Sequence, residues 1–180
     1  MKDTIKQYDR AVAACRDIFI KKAKDYGSSW RVLRIISIVD QVFIKARRIR
    51  NIQETGDQRI DDQIDNEFRG IVNYGVIALI QLDHPEETET PSVAAIEKLY
   101  DQKILLARTL MQAKNHDYGE AWRDMSQESF VDLILMKLLR VKQILQNDGK
   151  TIISEGMDAG FIDIINYALF ALIQIETAQP

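Results

Sequence analysis

Glu128 and Asp132, in the stretch QESFVDLILMKLLRV, are four residues apart, so on a helix their carboxylates share one face. Like charges at that spacing repel by about 0.2–0.5 kcal/mol unless something positive sits between them. Asp163 and Asn166, three apart in GFIDIINYALF, offer further oxygen donors. Gathered at one point, such a set suits Mg²⁺, with Mn²⁺ as a substitute, leaving positions for water and substrate phosphates. Lys137 and Arg140 project from a neighbouring sector of the Glu128 helix. Beside a metal they would clamp phosphate, Arg by paired contacts and Lys as a point charge.

Each residue also has a plainer reading. Ser126 reads as an N-cap, which puts Glu128 in the first turn, where the helix dipole favours an acid. Asp132 lies deeper and lacks that explanation. Lys137 and Arg140 read equally well as a solvated basic edge or as ion pairs with acids on an adjacent helix. On a helical wheel Asp163, Asn166, Tyr167 and Gln174 form a polar stripe on an otherwise apolar segment. A solvent-facing edge explains such a stripe, but Asn is a poor helix former and a solvated edge is better served by Lys or Glu.

The elements that must position these residues are written twice. KDYGSSW (Lys24 to Trp30) returns as HDYGEAW (His116 to Trp122), with an offset of 92 residues from Asp25 to Asp117. The same offset carries Tyr8 to Tyr100, Asp40 to Asp132, Lys45 to Lys137 and Arg48 to Arg140. NYGVIALIQLD returns as NYALFALIQIE at an offset of 93, so Asn73, Tyr74 and Gln81 match Asn166, Tyr167 and Gln174. A period this long exceeds the roughly 20–50 residues of solenoid repeats. Two domain-sized copies follow, residues 1–82 and 92–180, joined by the acidic, proline-bearing linker 83–91. The alignment also sets Glu128 against Ile36 and Asp163 against Gly70. A working site is therefore expected in the second copy, with Glu67 as a candidate substitute in the first.

Apolar spacing of three and four residues, as in Val12, Cys15, Ile18 and Phe19, predicts helix throughout. Three helices per copy are expected, at about Thr4–Lys24, Ser37–Glu54 and Asp61–Leu82, then Ser92–Lys114, Gln127–Gln146 and Glu155–Glu176, with Gly27 and Gly119 as C-terminal stops. The fold class is all-α, a helical bundle of two tandem three-helix repeats in pseudo-twofold arrangement. With 46% apolar and 28% charged residues the chain is in the globular range, and each copy alone would be marginal.

A net charge of −3 argues against a nucleic-acid polymer as partner. A single cysteine, Cys15, excludes an internal disulfide, and the N-terminal residues lack a signal-peptide pattern, so a cytoplasmic location is expected. Charges interrupt the apolar runs before the ~18 residues of a membrane span, and no membrane partner is expected. Tyr26, Trp30, Tyr118 and Trp122 read as core plugs or as platforms for a stacked base. Cys15, His84 and His116 have no match in the other copy and receive no role.

The DYG-plus-Trp loop, the Asp-x-x-x-x-Lys-x-x-Arg helix and the Asp-x-x-Asn-Tyr-Ala helix resemble the nucleotide modification associated domain 1 family, once counted among domains of unknown function. That family is similar to the MazG-like all-α nucleoside triphosphate pyrophosphohydrolases, which usually dimerise and bind Mg²⁺ through acids on two helices. The resemblance implies metal ligation by Glu128, Asp132 and Asp163, with Asp132 and Asp163 catalytic. Asn166 falls beside them, and nucleotide contacts are expected from Lys45, Arg48, Lys137, Arg140, Asn166, Tyr167, Tyr118 and Trp122. The implied partners are a small nucleotide and a second copy of the chain. Here Glu-x-x-x-Asp stands where the superfamily has Glu-x-x-Glu, and Asp-x-x-Asn where it has Glu-x-x-Asp. Beside pyrophosphohydrolysis, a non-catalytic nucleotide-binding module and a structural helical interaction protein are the alternative functions.

Overall fold

The computed structural model describes residues 2–85 and 90–178. Six α-helices follow in order: α1 (Lys2–Tyr26), α2 (Ile35–Thr55), α3 (Ile64–Asp83), α4 (Val93–Tyr118), α5 (Gln127–Gln146) and α6 (Met157–Ala178). Among the described residues there is no strand. Short 3₁₀ turns, Ser29–Val32 and Ala121–Asp124, follow α1 and α4. The expected helices are all present, with α1 and α4 each running on to the tyrosine of the loop motif. Asp83, assigned to the linker by sequence, closes α3, and linker residues 86–89 lie outside the described residues.

Gly27 and Gly119 end α1 and α4 at φ +68° and +58°, the left-handed conformation in which glycine avoids the Cβ clash. Their amides close the last turn onto the Ala23 carbonyl at 2.8 Å and the Asn115 carbonyl at 3.1 Å. Ser126 caps α5 as expected, its hydroxyl accepting from the Ser129 amide at 3.3 Å.

Helices α3 and α6 pack on each other at the centre, α2 and α5 flank them and meet, and α1 packs on α4. Being covered on several sides, α3 and α6 are apolar around most of their circumference; Val72, Val76, Ile164, Ile165 and Leu169 are all fully buried. Their approach is close, since a methyl group on Gly75 would sit 2.7 Å from Ile165 Cγ1. One 18-residue window of α6 is apolar enough, by length and composition, to cross a membrane, but 56% of that window is buried within the bundle, as a core helix requires.

The pseudo-twofold relation is written in side-chain bonds. Tyr8 donates to Asn166 Oδ1 at 2.8 Å, and Asn166 Nδ2 donates to the Ala107 carbonyl at 3.0 Å. Its mate has Tyr100 donating to Asn73 Oδ1 at 2.9 Å and Asn73 Nδ2 to the Cys15 carbonyl at 3.0 Å. Each tyrosine thus reaches the asparagine of the other repeat. Arg16 with Asp101 and Arg108 with Asp9 repeat the exchange as paired ionic contacts at 2.7 Å.

Candidate functional site

The three acids expected to hold Mg²⁺ do not meet. Among the described residues, no group of three His, Cys, Asp or Glu side chains is placed to hold a metal ion. Asp132 is exposed and faces Arg50 Nη1 of α2 at 3.5 Å. Glu128 is exposed too, near Gln53 and Asp65. Asp163 is only 6% exposed and points elsewhere, between Lys114 Nζ at 2.8 Å and Lys137 Nζ at 2.6 Å. Helix geometry explains the separation: five residues from Asp132 to Lys137 rotate the side chain by about 140°, so Lys137 can face α6 only if Asp132 turns away. The donor set as arranged does not fit Mg²⁺ or Mn²⁺.

Asp163 is instead the counterion of two lysines. Burial alone would raise its pKa, but the hydrogen bonds and charges of Lys114 and Lys137 outweigh burial and hold it below the ordinary 3.8. Lys114 moves the other way: burial opposes its charge, and Asp163 more than compensates, leaving its pKa raised. Lys137 is therefore an ion-pair partner of an adjacent helix. Arg140 is exposed on α5, bordering the same shallow surface as Asp132 and Leu139.

The polar stripe of α6 faces inward, which removes the solvent-edge reading. Asn166 is 5% exposed and fully engaged by Tyr8 and Ala107. Gln174 donates to the carbonyls of Trp122 at 3.0 Å and Met125 at 2.9 Å and so holds the loop against α6. Gln81 does the same for the first repeat, reaching the carbonyls of Arg31 at 3.0 Å and Leu33 at 2.7 Å. These amides build the bundle and are spent on it.

In the first repeat the matching cations converge differently. Lys45 Nζ and Arg48 Nη1 both reach Glu67, at 3.1 and 2.6 Å, so Glu67 does replace Asp163 as their carboxylate. Glu67 lies one turn earlier on its helix than Gly70, the residue aligned with Asp163. At an offset of 93, its own counterpart is Gly160. The repeats have exchanged a carboxylate and a glycine across one helical turn.

A cleft of about 530 Å³ opens between α1, the Gly27 loop and α3, with Gly70 and the Lys45 chain on its wall. That volume is within the range of small-molecule sites, about 300–1,000 Å³. Its walls include Lys22, Lys45 and Arg69 on one hand, and Phe19, Tyr26, Trp30 and Tyr74 on the other. Arg69 is held by Asp65 at 2.8 Å, while Lys22 is exposed with no ion pair among the described residues. Tyr26 is 56% exposed, and Trp30 packs against Phe19 with ring centroids 6.1 Å apart. The open cleft is thus in the repeat that the acid alignment had set aside.

In the second repeat the matching tryptophan is packed away. Trp122 is buried and stacked on Phe170 at 4.4 Å with ring planes 7° apart, and the Arg123 guanidinium covers it at 4.4 Å. Trp122 is a core plug; Tyr118 is 72% exposed, and Tyr167 is half-buried against the core. Lys22, Phe19, Arg69, Gly70 and Tyr74 are lining residues that sequence reasoning did not select. For Lys22 a signal exists, since it recurs as Lys114 at the 92-residue offset.

The model of the family described as nucleotide modification associated domain 1 matches residues 22–82 and 114–175, one stretch in each repeat. Together they cover most of the chain, which therefore belongs to that family. No curated protein and no solved structure matches it.

Proposed function

We propose, from membership of a nucleotide modification associated family and from the open cleft of the first repeat, that this chain is a nucleotide-binding module. The observation that carries the reading is the pairing of cations with aromatic side chains in one cleft: Lys22, Lys45 and Arg69 line it together with exposed Tyr26, half-buried Trp30 and Tyr74, and buried Phe19. A nucleotide has those two ends, an anionic phosphate and a flat base. Stacking a base on an aromatic side chain contributes about 1–3 kcal/mol. The ammonium groups would meet the phosphate as point charges. Pyrophosphohydrolysis draws less support, because the acids it requires are divided between a lysine pair on one side and Arg50 on the other.

Isothermal titration calorimetry with ribo- and deoxyribonucleoside mono-, di- and triphosphates tests this. Binding is expected, with Tyr26→Ala weakening it about five-fold or more, in line with the loss of a stacking partner. Tyr26 is exposed, so the variant should fold. Parallel assays for pyrophosphate release in Mg²⁺ or Mn²⁺ are expected to show no turnover. Turnover that disappears in Asp132→Asn would restore the hydrolase, and no heat with any nucleotide would leave only a structural interaction protein.

A further inference from the structure

The internal duplication supplies a comparison within one molecule. Lys114, Lys137 and Asp163 of the second repeat stand where Lys22, Lys45 and Gly70 stand in the first. In the second, an oxyanion occupies the corner between the two lysines: one Asp163 oxygen takes Lys114 and the other takes Lys137, at 2.8 and 2.6 Å. In the first, no carboxylate stands at the Gly70 position: Lys45 pairs with Glu67 from one turn earlier at 3.1 Å, and Lys22 has no ion pair among the described residues. The Lys45 chain lies over bare Gly70, its Cε 2.8 Å from where a Cβ would sit, and Lys22 and Lys45 both line the cleft.

We infer that the corner formed by Lys22, Lys45 and Gly70 seats the phosphate of the ligand, and that Asp163 is a built-in occupant of the equivalent corner in the second repeat. This rests on the reading of the first-repeat cleft as a nucleotide site. The duplicated chain then carries one site, and Asp163 marks in the second copy the place of the ligand's anionic end in the first. Glu67 does not fill this role. Its second oxygen is taken by Arg48 at 2.6 Å, it sits one turn away, and Lys22 receives nothing from it. The aromatic end is consistent with the same division, since Phe170, stacked on Trp122, stands where the first repeat has Ile77.

The substitution that copies one repeat into the other is the test. Gly70→Asp gives the first corner its own carboxylate. The three nearest atoms all belong to the flexible end of Lys45, which can swing onto the new carboxylate. Gly70→Asn adds the same bulk without the charge. Titrated with a nucleoside monophosphate and with inorganic phosphate, Gly70→Asp is expected to lose at least ten-fold in affinity, and Gly70→Asn much less. Asp163→Gly is expected to gain a phosphate site: a second bound phosphate per chain by calorimetry, or, if the variant is too unstable to titrate, a melting temperature that rises with phosphate more steeply than that of the unaltered chain.

Nucleotide binding that survives Gly70→Asp would overturn the corner while leaving the cleft reading intact. An Asp163→Gly chain indifferent to phosphate would overturn the assignment of Asp163. A phosphate site gained in Asp163→Gly, with no nucleotide bound by the unaltered chain, would keep the corner and remove the nucleotide.

Discussion

The two repeats keep one set of residues in step and let another diverge. Tyr8 and Tyr100, Asn73 and Asn166, and Gln81 and Gln174 make the same bonds on both sides of the pseudo-twofold axis. Around Lys45 and Lys137, by contrast, the carboxylate has moved by one helical turn, from Glu67 in the first repeat to Asp163 in the second, with glycine left at each vacated position. The tyrosine bonds cross between the copies, each tyrosine donating to the asparagine of the other repeat, whereas each glutamine holds its own copy's loop. A bond shared across the axis cannot drift in one copy without stranding a polar atom in the other. The cation corner lies within one copy, so it can change without unpairing an atom of the other. Duplication here has kept a framework and let the cation corner diverge.

The largest test of that separation is removal of the two carboxylates. Asp163→Ala should cost about 2–3 kcal/mol, less than the 3–5 kcal/mol of a fully buried pair because Lys114 is 48% exposed. Glu67→Ala should cost less, about 1–2 kcal/mol, since Lys45 and Arg48 keep 27% and 22% of their side-chain surface in water and can rehydrate, whereas Lys137 beside Asp163 keeps only 16%. Urea denaturation measures both, and equal losses would mean that the two corners are equivalent after all. The acid limb supplies a second readout. Asp163 has a folded pKa below its ordinary 3.8, so its contribution is complete above that value and fades as the pH falls through the lower folded one. The stability gap between the unaltered chain and Asp163→Ala should therefore narrow below about pH 4.

The framework should behave symmetrically. Tyr8→Phe and Tyr100→Phe each remove one hydroxyl from a buried ring and leave an asparagine oxygen short of a donor, at a cost of about 1–2 kcal/mol each. The expected losses agree within about 0.5 kcal/mol. A loss confined to one tyrosine would show that the axis is a likeness of sequence and not of energetics.

Much of this architecture was legible before any coordinates. The 92-residue offset gave the duplication, period-3.6 patterning gave six helices, and Gly27 and Gly119 gave two of their ends. The inward face of Asn166 followed from residue type, since amides are poor choices for a solvated helix edge. The site was legible only in part. Asp163, Lys45 and Lys137 stood out as residues, but a helical wheel ranks positions on one helix and does not say which neighbour a face meets. Once α6 is seen to receive Lys137, the rotation along α5 turns Asp132 toward Arg50, and the proposed metal set comes apart. Lys22 recurs as Lys114, yet by type nothing separates it from Lys21 or Lys24; only its place on the wall of the cleft makes it special. The exchange of Glu67 and Gly70 for Gly160 and Asp163 is also visible in the aligned copies, but its meaning depends on where lysine chains of several rotatable bonds come to rest.

The smallest effect belongs to the outermost symmetric pair. Arg16 grips Asp101 and Arg108 grips Asp9 through two nitrogens each, across the seam between α1 and α4. Both pairs are partly solvated, with arginine side chains 34% and 27% exposed and aspartates 56% and 50% exposed. Desolvation is therefore light and screening strong, and a coupling of about 0.5–1 kcal/mol is expected for each pair, at the upper end for surface contacts because the geometry is bidentate. Double-mutant cycles on Arg16 with Asp101 and on Arg108 with Asp9 should return similar energies that shrink together as salt is raised, since the Debye length contracts to about 3 Å at 1 M. Arg16 also has Glu97 at 3.9 Å, an additional acid that should leave its pair slightly the more salt-sensitive of the two. A coupling present in one cycle and absent in the other would place the divergence of the repeats in the interface as well as in the cation corner.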